Sequence, residues 1–312
     1  MFSPIINRFF KTFDAGGPER SAAARHFLYG FSWAMLSVLC GTVIFIIAKA
    51  LLVVQTQADC CYWWFGFALF FYVSYIIITG QTVTGCLCRK NIMWVSAFVL
   101  FEIFSTLLFF AGLHMIDPPT VSFLQRSQIV FVLVFGYALL GERFTAPEWG
   151  GAAIIISGMI LLTFHTGGFS LAGSIVILIS TLTGSINVII VRRIGSKNGS
   201  YAFALIRTVT LFIFYLLYAF TVPGAFGLLP WKTMLVVMAG AFFGPFLLVV
   251  SSYKSLEYLE AGKAAIFRSI QPFFVVVASL VVFGTMPGVR DLAGGILMVA
   301  GNILFIYAHM KR

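Results

Sequence analysis

Charge is what this chain is short of. Only 10% of its 312 residues are charged, 20 basic against 10 acidic, where a soluble domain carries about 25%. With 61% hydrophobic residues and a mean hydropathy of +1.02, a soluble globular core is excluded. Histidines are equally scarce: His26, His114, His165 and His309 lie near the ends of apolar runs and form no His-Glu-x-x-His ligand pair. The chain has no aspartate cluster to hold magnesium and a diphosphate, and no GxxxxGK[ST] loop to cradle nucleotide phosphates. These absences weigh against metalloprotease, prenyl-transfer and directly ATP-driven chemistry, so the sequence predicts no catalytic residue, no metal and no cofactor. Cys40, Cys60, Cys61, Cys86 and Cys88 lack the spacing of a zinc site and read as small buried or interfacial thiols.

What the chain does have is long apolar runs. About 20 residues cross a hydrocarbon layer of roughly 30 Å. Such runs predict ten membrane-spanning helices: Phe27–Val54, Cys60–Gly85, Ile92–Leu113, Pro119–Leu140, Trp149–Phe164, Phe169–Val191, Tyr201–Val222, Trp231–Tyr253, Ala264–Phe283 and Leu292–His309. The first is too long for a signal-peptide core and is read as an uncleaved helix behind a polar tail, residues 1–26. Net charge of +10 needs no nucleic-acid partner. The clusters Arg8/Lys11/Arg20/Arg25, Arg89/Lys90, Arg192/Arg193/Lys197 and Lys311/Arg312 fall on one side, against Lys232 and Arg290 on the other. By the positive-inside rule both termini are expected in the cytoplasm, and the expected setting is a bacterial inner membrane. Tyr62, Trp63 and Trp64 suit an interfacial aromatic belt.

A shift of 143 positions lays the second half of the chain on the first. Gly141, Gly151 and Gly158 fall on Gly284, Gly294 and Gly301; Leu113 falls on Leu256, Gln128 on Gln271 and Phe131 on Phe274. Five spans per copy is an odd number, so the second copy enters the membrane from the opposite side. The loops 141–147 and 284–290 are then on opposite faces. The expected fold is an all-α integral membrane protein of two inverted five-helix repeats, residues 27–166 and 167–312, a layout that secondary transporters use to build a central site. Gly151 and Gly158, like Gly294 and Gly301, lie two turns apart on one helix face and read as packing residues.

The stretches Leu140-Gly-Glu-Arg143, Trp149-Gly-Gly151 and Ser157-Gly158, with Tyr253-Lys-Ser-Leu-Glu-Tyr-Leu259, Gln271-Pro272, Phe283-Gly284 and Gly294-Gly295, resemble the EamA-type repeat of the drug/metabolite transporter superfamily. Ile129 stands where the second copy has Pro272, and Thr285 where the first has Glu142. The resemblance implies a carrier of small organic metabolites, with a cavity formed mainly by the first, third, fourth, sixth, eighth and ninth helices.

Charges inside spans cost about 2.5 kcal/mol or more at the bilayer centre and so call for a reason. Lys49 lies near one end of its span and Arg207 roughly 9 Å from the end of its own. Both can extend to the interface or face the cavity. Arg126 and Arg268 sit roughly 10 Å into helices entered from opposite faces, one residue out of register under the shift, with Gln128 and Gln271 just beyond them. These four are candidate substrate-binding residues, the alternative being contacts to helix-end carbonyls or lipid phosphates. Asn187 and Tyr253, with Lys254, complete the expected lining, although Asn187 also suits an interhelical hydrogen bond. Glu102, the one carboxylate deep in a span, has three open roles: ion-pair partner of an arginine, proton-coupling group or direct substrate contact. Its repeat equivalent is Pro245, whose missing N–H makes Gly244-Pro245 a candidate hinge.

The expected function is secondary active transport of a small organic metabolite by alternating access, the excess of basic groups pointing to an anionic or zwitterionic solute. Expected partners are that solute, the lipid bilayer and, as a coupling ion, the proton. A non-transporting scaffold or receptor, or a membrane-embedded enzyme, is the alternative.

Overall fold

The computed structural model describes residues 18–80, 92–141, 144–163, 168–194, 199–221, 229–259, 264 and 267–310. Cys86, Cys88, Glu142, Arg143 and residues 164–167, where the two repeats were expected to join, lie outside them, as does most of the amino-terminal tail. The described residues are helical, with no strand among them. In chain order the helices are α1 (Pro18–Val54), α2 (Gln57–Thr79), α3 (Ile92–Met115), α4 (Pro118–Leu124), α5 (Gln128–Leu140), α6 (Ala146–Thr163), α7 (Gly168–Ile194), α8 (Gly199–Thr221), α9 (Trp231–Ala241), α10 (Val249–Tyr258), α11 (Gln271–Phe283) and α12 (Val289–Met310).

Two of these helices continue into a neighbour. A 3₁₀ turn, Gln125–Ser127, joins α4 to α5, and a π-helical turn, Phe242–Leu248, joins α9 to α10. Among the described residues, eight stretches are long and apolar enough to cross a membrane. The other two of the ten expected, Ala146–Leu162 and Gln271–Phe283, are apolar but shorter.

Local chemistry repeats with the same 143-residue shift. Gly141 ends α5 at φ +67° and Gly284 ends α11 at φ +65°, a left-handed conformation that glycine adopts without steric cost. Five residues later the next helix of each half begins. Glu148 accepts from the Thr145 backbone N–H (2.5 Å) and hydroxyl (2.7 Å), and Asp291 accepts from the Gly288 N–H at 3.1 Å. Each carboxylate reaches back to satisfy an orphan donor at a helix start.

Packing follows the repeat as well. α6 lies on α12 with glycine against glycine: a Cβ at Gly151 would stand 2.9 Å from the Gly301 carbonyl, and one at Gly158 2.5 Å from that of Gly294. Early residues of one helix therefore meet late residues of the other, and the pair runs antiparallel. α2 packs on α8, its own counterpart under the shift. α1 packs on α10 and α11 as their counterparts α7 on α3 and α5. Ser105 on α3 and Ser180 on α7 exchange bonds to each other's backbone carbonyls at 3.0 and 2.7 Å. Trp64, expected in an interfacial belt, is instead buried at 3% exposure, and Tyr62 stacks on Phe212 of α8. Cys40, Cys60 and Cys61 are buried free thiols.

Candidate functional site

Two adjoining cavities, about 420 and 270 Å³, open where helices of both halves meet. Ser105, Gln128, Gly184, Arg207 and Pro245 line both, so these residues form the partition between two chambers of one space.

The larger chamber holds an ion pair. Arg207 of α8 donates from Nε to Glu102 Oε1 of α3, Asn187 of α7 donates to Oε2 at 2.8 Å, and Thr106 donates to Oε1 at 3.4 Å. The carboxylate side chain is 10% exposed and the guanidinium 36%. Three helices thus converge on one carboxylate. A carboxylate in such surroundings is held only by paired charge and hydrogen bonds, and removing either partner leaves the other unpaired. Arg207, for which a reach to the interface was one expectation, turns inward. Tyr72, 1% exposed, closes this chamber and donates to the Pro245 carbonyl at 2.9 Å.

Gly244-Pro245 sits at the partition. Gly244 departs from helical geometry (φ −76°, ψ −106°) inside the π-helical turn. The break follows from proline, which cannot donate to the preceding turn and clashes with it.

Arg126 lines the smaller chamber with Gln125, Gln128 and Gln271, while Phe45, Trp64, Phe109 and Phe110 form apolar walls. The 3₁₀ turn places it there. Arg126 Nη1 donates to the Arg268 backbone carbonyl at 3.3 Å, and its own carbonyl accepts from Asn302 of α12 at 3.3 Å. Arg126 Nε is enclosed without a partner.

Not all of the expected residues gather here. Arg268 meets Arg126 through its backbone, its Nε donates to the Ala264 carbonyl at 3.3 Å, and it lines neither cavity. Lys49 stands apart and donates to three carbonyls, Leu113 (2.8 Å), His114 (3.0 Å) and Ile116 (3.0 Å). It thereby satisfies orphan acceptors at the end of α3. Tyr253 belongs to α10, but its side chain lies outside the described residues; Lys254 is absent from both linings. Sequence reasoning missed Tyr72, Gln125 and Asn302. Of these, Asn302 carried a signal, a polar residue in a late apolar helix, but its repeat equivalent is Met159. α2 and α8 join the helices expected around the cavity. No three His, Cys, Asp or Glu side chains converge as a metal site among the described residues.

The sequence profile of the EamA-like transporter family matches residues 28–164 and again 171–307. The chain belongs to the EamA-like transporter family. Two Bacillus subtilis (strain 168) proteins are similar to it. One, named "Uncharacterized transporter YdfC", is 23% identical over 64% of this chain and 66% of its own length. The other, "Uncharacterized transporter YcxC", is 23% identical over 62% and 65%. The chain spans just under two thirds of the length of these relatives. A crystal structure of a protein 15% identical shares the fold, with a TM-score of 0.61 over 92% of this chain and 99% of the other. Two family repeats and eight helices long and apolar enough to span make the chain a multi-pass membrane protein of this family.

Proposed function

We propose that this EamA-family chain is a secondary active transporter that carries a small organic metabolite, with an anionic group in it, by alternating access through the two-chambered cavity. One observation carries the reading: polar side chains from both repeats converge at Gln128, Arg207 and the Gly244-Pro245 break, where the two chambers meet. The antiparallel α6–α12 contact and the exchange of partners between halves support an inverted duplication. In such an arrangement one half's outward-open packing is the other's inward-open packing. The close α6–α12 crossing forms a fixed post, and the halves rock around the cavity. Arg126, Gln128, Asn187, Arg207 and Gln271 face the cargo. The Glu102–Arg207 pair links α3 to α8 across the partition, and a proton on Glu102 would release Arg207, which is how a proton gradient could drive the cycle. The distribution of basic residues supports cytoplasmic termini.

Uptake by the full chain reconstituted in liposomes tests this. Labelled organic acids, amino acids and phosphorylated metabolites are offered with and without a pH gradient. Saturable uptake of at least one, lost when Gln128→Trp fills the partition, is expected. Uptake at the protein-free rate for every compound would reject the proposal in favour of a scaffold or receptor.

A further inference from the structure

Charge in the cavity does not balance. Two guanidinium groups, Arg126 and Arg207, and one carboxylate, Glu102, line the chambers; no other charged residue does among the described residues. Glu102 is taken. Arg207, Asn187 and Thr106 all bond to it, which pairs the charge of Arg207 and leaves the carboxylate held by three donors. Arg126 is different. Its guanidinium meets one neutral acceptor, the Arg268 carbonyl, and no carboxylate among the described residues, while its Nε has no partner. A cation placed away from bulk water demands a counter-charge.

Resting on the transport reading above, we propose that the Arg126 chamber selects solutes that carry one negative charge and no positive one: small monoanions such as monocarboxylates. A single anionic group on Arg126 brings the loaded cavity to neutrality. A zwitterion would bring an ammonium group as well, and the one lining carboxylate is already bonded by three neighbours. A dianion would need a second cation facing the chamber; Arg207 is committed to Glu102, and Arg268, although its charge acts on Arg126, lines neither chamber. Size and wall chemistry set the rest of the solute. At about 270 Å³ the chamber lies below the volume that a drug-sized ligand needs. Gln125, Gln128 and Gln271 offer both donors and acceptors, and Phe45, Trp64, Phe109 and Phe110 provide apolar walls. The cargo is therefore a compact carboxylate with an apolar or hydroxylated body.

The arrangement also predicts how selectivity changes. Glu102→Gln removes the counter-charge of Arg207 while keeping hydrogen bonds to Asn187 and Thr106 possible. The described lining then carries two guanidinium groups and no carboxylate, and preference shifts from monoanions to dianions.

Purified full-length protein in detergent is titrated calorimetrically with matched series of three to eight carbons: straight-chain and hydroxy monocarboxylates, their amides, their ω-amino derivatives and the dicarboxylates. At least one monocarboxylate binds saturably, and its amide and amino derivative bind at least tenfold more weakly. Arg126→Gln, which keeps a polar side chain, weakens that binding roughly 10- to 100-fold, the range for losing one charge-assisted hydrogen bond. Glu102→Gln raises affinity for the matched dicarboxylate relative to the monocarboxylate. Both variants are first shown to elute and melt as folded protein; if Arg126→Gln fails that check, the Glu102→Gln reversal decides alone. The proposal is overturned if amides or amino derivatives bind as well as carboxylates, if no monocarboxylate binds, if folded Arg126→Gln binds unchanged, or if chloride alone binds as tightly. Saturable liposome uptake of a neutral or zwitterionic compound would then leave the transporter reading standing, whereas no uptake of any class would remove both.

Discussion

Adding one methyl group at Gly158 should separate the helix pair that joins the two halves. A Cβ there would stand 2.5 Å from the Gly294 carbonyl oxygen, 2.7 Å from Met298 Cγ and 2.9 Å from Met298 N. Two of those atoms are backbone on α12, so no rotamer change clears them. Restoring a contact of ordinary length requires the helices to part by about 1 Å. The parting loosens Ile155, Leu162 and Met298, all at most 1% exposed, and such overpacking costs about 1–3 kcal/mol. Gly150 is the internal control, since a Cβ there meets nothing within 4 Å. There alanine gains up to about 1 kcal/mol of helix propensity over glycine. Thermal unfolding of the purified protein in one detergent should therefore place Gly158→Ala below wild type and Gly150→Ala at or above it. Equal shifts for the two variants would refute the claim that backbone contact between α6 and α12 holds the halves together.

Other consequences concern pairs and caps. Arg207→Gln removes the counter-charge of Glu102, leaving it to Asn187 and Thr106, and should destabilise by about 1–3 kcal/mol, with Glu102→Gln/Arg207→Gln losing less than the sum of the singles, as a double-mutant cycle on unfolding would measure. Glu148→Ala removes the acceptor at the start of α6 and Asp291→Ala that of α12; each should cost about 1 kcal/mol in the same melt. Lys49→Met frees the three carbonyls at the end of α3, so hydrogen exchange at residues 113–116 should quicken while the cavity residues keep their protection.

How much of this was legible depends on which physical signal each feature leaves. Gly141/Gly284 and the four packing glycines were readable because a left-handed turn and a close crossing both select one residue type. The helix-start carboxylates repeat at the same spacing but use Thr and Glu in one copy, Gly and Asp in the other, so residue identity hid them. Arg207 illustrates the deeper limit. Its depth along α8 was visible, but not which way it faces. Lipid and protein core are equally apolar, so the buried face of α8 (Phe203, Thr208, Leu211, Tyr215) carries no contrast against its lipid side. Pairing of Arg207 with Glu102, rather than of Glu102 with Arg126 or Arg268, depends on that rotation. The 3₁₀ turn at Gln125–Ser127 and the Tyr72–Pro245 bond likewise leave no local sequence mark, whereas the proline that breaks α9 from α10 does.

The central claim is that the chamber between the repeats opens to each side in turn. A single cysteine tests it most directly: Ser105→Cys, on the partition, in a chain whose native cysteines are replaced. An impermeant thiol reagent is applied to right-side-out and to inverted vesicles. Modification from both faces, slowed on both by a transported solute, is the predicted result. Modification from one face alone, with or without solute, would contradict alternating access.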